Sequence, residues 1–121
     1  MHSLLDNNGW LRDDCYRHGA WLNVADARSR GIADDDLVRV YNDIGEMVIP
    51  AYVTSRVVPG TVCVFHGAWY KPGEKKSRLM PDGIDMGGAP NFLTHNEDLP
   101  KTVIGFLPCK GLVQVEKWEG A

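Results

Sequence analysis

Nothing in this sequence supplies a ready-made catalytic centre. It has no G-x-S-x-G nucleophile elbow, no Walker A run and no G-x-G-x-x-G after a strand, which removes the commonest hydrolase and nucleotide-binding signatures. Cysteines are few, at Cys15, Cys63 and Cys109. They are far apart and form no C-x-x-C pair, so neither a zinc site nor a disulfide framework is indicated, and free thiols are expected. Cys63 falls in an apolar strand pattern and reads as a core residue. The histidines, His2, His18, His66 and His95, show no metal-ligand spacing. Positive charge is also short. A net charge of −3 argues against a nucleic-acid partner, because neutralising phosphates needs clustered Lys and Arg. The densest basic run, Lys71, Lys75, Lys76 and Arg78, is interrupted by Pro72, Gly73 and Glu74 and reads as a solvated loop. No apolar run approaches a membrane span, so no direct membrane insertion is expected. The N-terminus has no basic-then-apolar signal.

What is present is an ordinary globular composition, 44% hydrophobic, over 121 residues. That length suits one domain, residues 1–121, with a core that needs no covalent staple. Residues 4–16 read as a turn leading into a short helix. Ala20-Trp21-Leu22 reads as a first strand. Asn23 suits a helix N-cap, Asp26 a capping-box partner three residues on, and Gly31 a C-terminal stop, giving a helix over Val24 to Arg30. Leu37 to Tyr41 and Glu46 to Thr54 form a hairpin around Asn42-Asp43-Ile44-Gly45, with Gly45 expected at positive φ. Met47, Ile49, Ala51 and Val53 share one face of the return strand. Pro50 lacks an N–H, so an edge or a bulge is expected there. Val58-Pro59-Gly60 turns into a strand over Thr61 to Phe65, and Leu112 to Glu116 forms a last strand. Between them, residues 66–90 carry five glycines and three prolines. Such a loop has no regular ladder of its own; in a larger parent the cofactor or neighbouring domains would order it, and in the isolated chain it is expected to be the most mobile internal segment or to be ordered only by another copy. The pattern describes a mainly β barrel with short inserted helices.

Two segments hold the chemistry. His66-Gly67-Ala68-Trp69-Tyr70 ends a strand with two aromatics. Gly87-Gly88-Ala89-Pro90-Asn91-Phe92-Leu93-Thr94 closes the long loop, where glycines admit a ligand close to the backbone and an Asn amide can both donate and accept. The alternative stays open that Trp69 and Phe92 are core anchors and the glycines only make turns. Asp34-Asp35-Asp36 and Glu97-Asp98 read as solvated turns.

Five blocks in order carry a resemblance. They are Trp21-Leu22-Asn23-Val24-Ala25-Asp26-Ala27-Arg28-Ser29-Arg30-Gly31-Ile32, Leu37 to Glu46, Val58-Pro59-Gly60, Gly67-Ala68-Trp69-Tyr70, and Asn91-Phe92-Leu93-Thr94. Read together over nearly the whole chain, they resemble the C-terminal domain of molybdopterin oxidoreductases of the dimethyl-sulfoxide-reductase superfamily. The resemblance implies a six-stranded double-psi β-barrel that binds molybdopterin guanine dinucleotide, two copies of which carry molybdenum in the complete enzyme. It implies cofactor contacts from His2 and Ser3 (phosphate or pterin), from Asn91 and Thr94 (nucleotide or pterin side), and from Trp69 as a wall or as a packing residue. No catalytic residue and no metal ligand is assigned. The family's D-G-D becomes Asp34-Asp35-Asp36 here, without the turn glycine. After Thr94 the chain reads His95-Asn96-Glu97-Asp98, departing from the family's usual run.

The parent implied is a bacterial oxidoreductase of anaerobic respiration, a dimethyl-sulfoxide-like reductase, periplasmic or membrane-associated. Its other domains would be this domain's immediate partners, with iron–sulfur and membrane-anchor subunits beyond them. The isolated chain is expected to be inactive, to hold no cofactor and to self-associate weakly. Two rival readings compete with this one. A decarboxylase-type barrel matures at a Gly-Ser bond, and this chain has no such dipeptide. A double-psi adaptor that binds proteins without cofactor leaves the Trp69 and Asn91 blocks without a purpose.

Overall fold

The computed structural model describes residues 7–11, 18–94 and 111–120. Among the described residues, five strands with short helical segments make a mainly β, curled half-barrel with strand order β4-β1-β3-β2-β5. They are β1 (Ala20–Asn23), α1 (Val24–Ser29), β2 (Leu37–Tyr41), β3 (Glu46–Thr54), β4 (Val62–Val64), a 3-10 turn (Pro90–Leu93) and β5 (Gln114–Lys117). Six strands were expected, and five are found among the described residues.

The central strand serves two partners in succession. Residues 46–50 of β3 pair antiparallel with β2, ending at Leu37↔Pro50, and residues 51–54 pair in parallel with β1, beginning at Ala20↔Ala51. Pro50 therefore marks neither an edge strand nor a bulge. It sits where one ladder stops and the next begins, and there a missing N–H is tolerated. Gly19 lies against the Pro50 carbonyl so closely that a Cβ would come within 2.5 Å of its oxygen.

On the β2 side, the second half of β3 is held by the acidic run rather than by a strand. Asp35 N–H donates to the Ala51 carbonyl at 3.0 Å, Ala51 N–H donates to the Asp36 carbonyl at 2.8 Å, and Val53 N–H donates to Asp34 Oδ1 at 2.9 Å. The three aspartates are thus more than a solvated turn: they continue a ladder that β2 has left.

The local signals of α1 are mostly met. Asn23 Oδ1 accepts from Ala25 N–H at 2.8 Å. At the other end Ile32 N–H reaches Ala27 O, Gly31 N–H reaches Arg28 O, and Gly31 takes φ of 65°, which is a Schellman stop. The capping box is not formed. Asp26 instead accepts from Gly60 N–H at 2.6 Å and so ties α1 to the turn before β4.

Both faces of β3 are covered. Met47, Ile49 and Ala51 enter a core with Ala20, Leu22, Ala27, Ile32, Val38, Val40 and Leu93, and Val53 packs against it. Val48, on the other face, meets Met80 and Ile84 from the long loop, with Leu79, Phe92 and Trp118 around them. Cys63 does not join the core: it is half-buried beside Trp21 in the β1–β4 register. Trp21 itself makes edge-on contacts with Tyr52 (4.5 Å between centroids) and Phe65 (5.2 Å) outside the main core.

The long loop, for which contacts from outside the chain were expected, also has partners within it. Its two arms exchange backbone hydrogen bonds, Gly73 N to Ile84 O, Ile84 N to Lys75 O and Met86 N to Lys71 O, and Val48 N–H of β3 donates to Asp85 O at 2.8 Å. An apolar plug of Met80 and Ile84 adds the burial that offsets the ordering entropy.

Candidate functional site

The two chemistry-bearing segments leave different parts of the chain and meet beside β3. The first runs on from β4 through Gly67, which takes φ of 106°, to Trp69 and Tyr70. The second is the 3-10 turn Pro90–Leu93, with proline in its first turn where a missing N–H is harmless. A ring contact joins them, and a hydrogen bond ties Tyr70 to the long loop beside them. The Tyr70 and Phe92 rings lie 4.9 Å apart, and Tyr70 O–H donates to Gly83 O at 2.8 Å. Partial desolvation, then the negative charges of Asp82 and Asp85, push the Tyr70 phenol above its usual pKa, so it stays a donor.

Asp85 is the polar centre of the assembly, with no exposed surface. Its Oδ1 accepts from Lys71 N–H at 3.0 Å and from Gly87 N–H at 2.8 Å. Its Oδ2 accepts from Ala89 N–H at 2.6 Å. Those amides flank both segments. Gly87 lies so close to the Trp69 carbonyl that any Cβ there would overlap it. Gly88, at φ of 82°, sits under the His18 ring, whose Nε2 lies 3.1 Å from Gly87 O.

The 3-10 turn is fixed from below by the β2–β3 hairpin. Asn42 Oδ1 accepts from Ile44 N–H (2.9 Å) and Gly45 N–H (3.1 Å), while Asn42 Nδ2 donates to Leu93 O at 2.7 Å. Gly45 does not take the positive φ expected of it. It is required because the Phe92 carbonyl occupies the space a Cβ would need.

The expected site residues divide accordingly. Trp69 is 46% exposed and is not a core anchor, whereas Phe92 is half-buried against the second core cluster. Asn91 is exposed, and its amide has no hydrogen bond among the described residues. Thr94 closes the same turn, its Oγ1 donating to Asn91 O at 2.9 Å. His2 and Ser3 lie outside the described residues, as do Cys15, Cys109 and the stretch after Thr94. Sequence reasoning missed Asp85 and Asn42. An Asp two residues before Gly87-Gly88, and an Asn opening a four-residue turn, were the available signals.

Chemically, the rim offers an amide that can donate and accept, an indole face, and backbone held close to the surface by glycine. That donor set fits a flat heteroaromatic group with polar edges. It does not fit a metal ion: no group of three or more His, Cys, Asp or Glu able to hold one occurs among the described residues. No helix among them is long and apolar enough to cross a membrane.

Known proteins resemble this chain in sequence and in fold. Residues 1–104 match the family described as "Molydopterin dinucleotide binding domain". The dimethyl sulfoxide reductase DmsA of Escherichia coli is 41% identical over 97% of this chain and 13% of its own length. A dimethyl sulfoxide/trimethylamine N-oxide reductase of Cereibacter sphaeroides is 36% identical over 100% of this chain and 15% of its own. The pyrogallol hydroxytransferase large subunit of Pelobacter acidigallici is 37% identical over 99% of this chain and 14% of its own. The chain thus spans only about a seventh of these relatives. Among solved structures, acetylene hydratase from Pelobacter acetylenicus superposes with a TM-score of 0.67 at 18% identity, over 98% of this chain and 16% of that one, a likeness of fold. With a family match over most of its length and relatives of about 40% identity across nearly all of it, the chain belongs to the molybdopterin dinucleotide binding domains of the dimethyl sulfoxide reductase family.

Proposed function

We propose that this domain binds molybdopterin guanine dinucleotide as one part of a larger molybdenum oxidoreductase that reduces sulfoxides or amine oxides. The observation that carries the reading is the exposed Asn91 amide, unpaired among the described residues, on a turn clamped from two sides. A polar group held in place yet left without an internal partner is organised for an external one. Asn91 would hydrogen-bond the dinucleotide, Thr94 would support it from the same turn, and Trp69 would wall the pocket. His2 and Ser3 would add donors at the phosphate or pterin. When bound, the molybdenum dinucleotide pair supplies the oxygen-atom and electron transfer, and this chain's share is binding and orientation. Other domains of a catalytic subunit would complete the pocket, and iron–sulfur and anchor subunits in a bacterial periplasmic or membrane-associated enzyme would complete the electron path.

Asn91→Ala in the intact oxidoreductase tests the assignment. Because the side chain makes no hydrogen bond among the described residues, stability should change by less than about 0.5 kcal/mol. Loss of a buried amide contact to ligand should weaken cofactor retention by about 1–3 kcal/mol. Unchanged molybdenum and guanine content in the purified variant would remove Asn91 from the site. The 121-residue chain alone should show no turnover in a reduced-viologen assay with sulfoxide or amine-oxide substrates, since half of the electrostatic environment is missing. Turnover by the metal-analysed pure chain would refute that division of labour.

A further inference from the structure

The Asp85 carboxylate touches no surface, yet it holds three backbone amides that belong to both halves of the candidate site. Lys71 follows Trp69-Tyr70 directly, and Ala89 precedes Pro90-Asn91. Backbone bridges place the same residue against β3 at Met47 and against the opposite loop arm at Pro72. Among the described residues no Lys or Arg pairs with it, and the ion pairs formed there all lie elsewhere. Among the described residues its charge is met by three backbone N–H groups. A carboxylate with acceptors on both oxygens can gather three such donors, whereas any uncharged side chain of that size cannot.

We infer that Asp85 is the positioning residue of the cofactor rim: its carboxylate sets the spacing between the Trp69 and Asn91 segments, and so the geometry in which they meet the dinucleotide. The inference rests on the reading that these segments bind it. Asparagine at 85 separates this role from simple folding. With its amide oxygen at the Oδ1 position it keeps the Lys71 and Gly87 donors, but its NH2 then confronts Ala89 N–H, donor against donor. The loop stays anchored to β3 through the Asp85 backbone, and the Asn91 turn is released.

The experiment uses the intact oxidoreductase carrying Asp85→Asn, Asp85→Ala, or Val38→Ala as a control whose cavity lies in the main core and leaves the three Asp85-bound amides their partner. Molybdenum and released guanine nucleotide per polypeptide, thermal midpoint, and amide hydrogen exchange at Ala89 are measured. Asp85→Asn should lose cofactor about tenfold faster than wild type, the order expected when a group supporting a ligand contact is altered. Ala89 should lose protection while Lys71 keeps it. Val38→Ala should keep its cofactor despite a lower midpoint. Asp85→Ala should lose both cofactor and loop protection, and where it does not fold, Asp85→Asn decides alone. Wild-type cofactor retention in Asp85→Asn, or a loss no greater than in Val38→Ala at equal midpoint, would overturn the inference and leave the functional reading intact. Wild-type protein without a dinucleotide would overturn both.

Discussion

Asp35 is the one described non-glycine residue with positive φ, at 67°. It stands where the family pattern carries the glycine of D-G-D. The neighbouring contacts leave it no choice: its N–H must reach Ala51 O while Asp34 Oδ1 and the Asp36 carbonyl serve Val53 and Ala51. Left-handed backbone costs an L residue about 1 kcal/mol, and aspartate tolerates it better than most. Asp35→Gly should therefore raise the unfolding free energy by about 0.5–1 kcal/mol, with Asp35→Val lowering it by at least as much. Urea denaturation of the two variants decides it, and a destabilised glycine variant would mean that the Asp35 side chain outweighs its backbone. Asn42 makes the complementary case, a residue whose side chain does the turn's work. Asn42→Ala leaves two hairpin N–H groups and the Leu93 carbonyl without their partner, which should cost about 1–3 kcal/mol and loosen the 3-10 turn.

At the scale of elements, the β2 strand is tied to both neighbours by one side chain. Arg39 donates through Nε to Glu46 Oε2 at 2.7 Å and through Nη1 to Glu116 Oε1 at 2.8 Å, with its guanidinium 4.2 Å over the Tyr41 ring. Partial burial opposes the charge, but the hydrogen bonds that Arg39 donates to Glu116 and Glu46 outweigh it and hold Arg39 above its usual pKa. Glu46 is only 1% exposed, so Arg39→Ala strands a buried carboxylate and should cost about 3 kcal/mol. Glu116 is exposed, and Glu116→Gln should cost less than about 1 kcal/mol. Chemical denaturation of both variants checks the ratio, and equal effects would contradict it. Elements such as β1, α1 and the β2–β3 hairpin were legible in the sequence because their signals are local: alternation, an Asn cap, a Gly31 stop. Pro50, Gly45 and Asp85 were not. What each residue does depends on partners far along the chain, namely the change of partner along β3, the Phe92 carbonyl, and amides at positions 71 and 89. The residues proposed for the rim, Trp69, Asn91 and Thr94, were singled out through ordered blocks rather than through periodicity. The carboxylate that spaces it was hidden inside a stretch that reads only as loop.

For the molecule as a whole, β5 is the closing element, and charge holds much of it. It pairs with β2 from Val38↔Lys117 to Tyr41↔Gln114, and just beyond it Trp118 N–H donates to Leu37 O at 2.8 Å. Lys75 caps the far end, its Nζ 4.7 Å over the Trp118 ring and donating to Gly120 O at 3.1 Å, so the long loop and the last strand are joined. Lys117 Nζ lies 2.8 Å from Asp36 Oδ2, which also accepts from Ala33 N–H. The Lys117 hydrogen bond, then the Ala33 amide, hold the Asp36 carboxyl below the usual carboxylate range. A carboxyl depressed in the folded state binds its proton less tightly there than in the unfolded chain. Its contribution is therefore complete above the unfolded value near 4 and is lost as pH falls through the lower folded value. Acid should loosen the junction of β5 with the Asp34–Asp36 run, the same run that completes the β3 ladder. Urea midpoints measured from pH 7 down to about pH 2 should fall more steeply below pH 4 in the native chain than in Asp36→Asn. The variant should start lower at neutral pH, and the two curves should converge in acid. Salt should shrink the difference at neutral pH, because the pair is exposed to solvent. Parallel curves across the whole range would show that Asp36 acts only through its backbone, and that the closing strand is held by its ladder with β2 rather than by the ion pair.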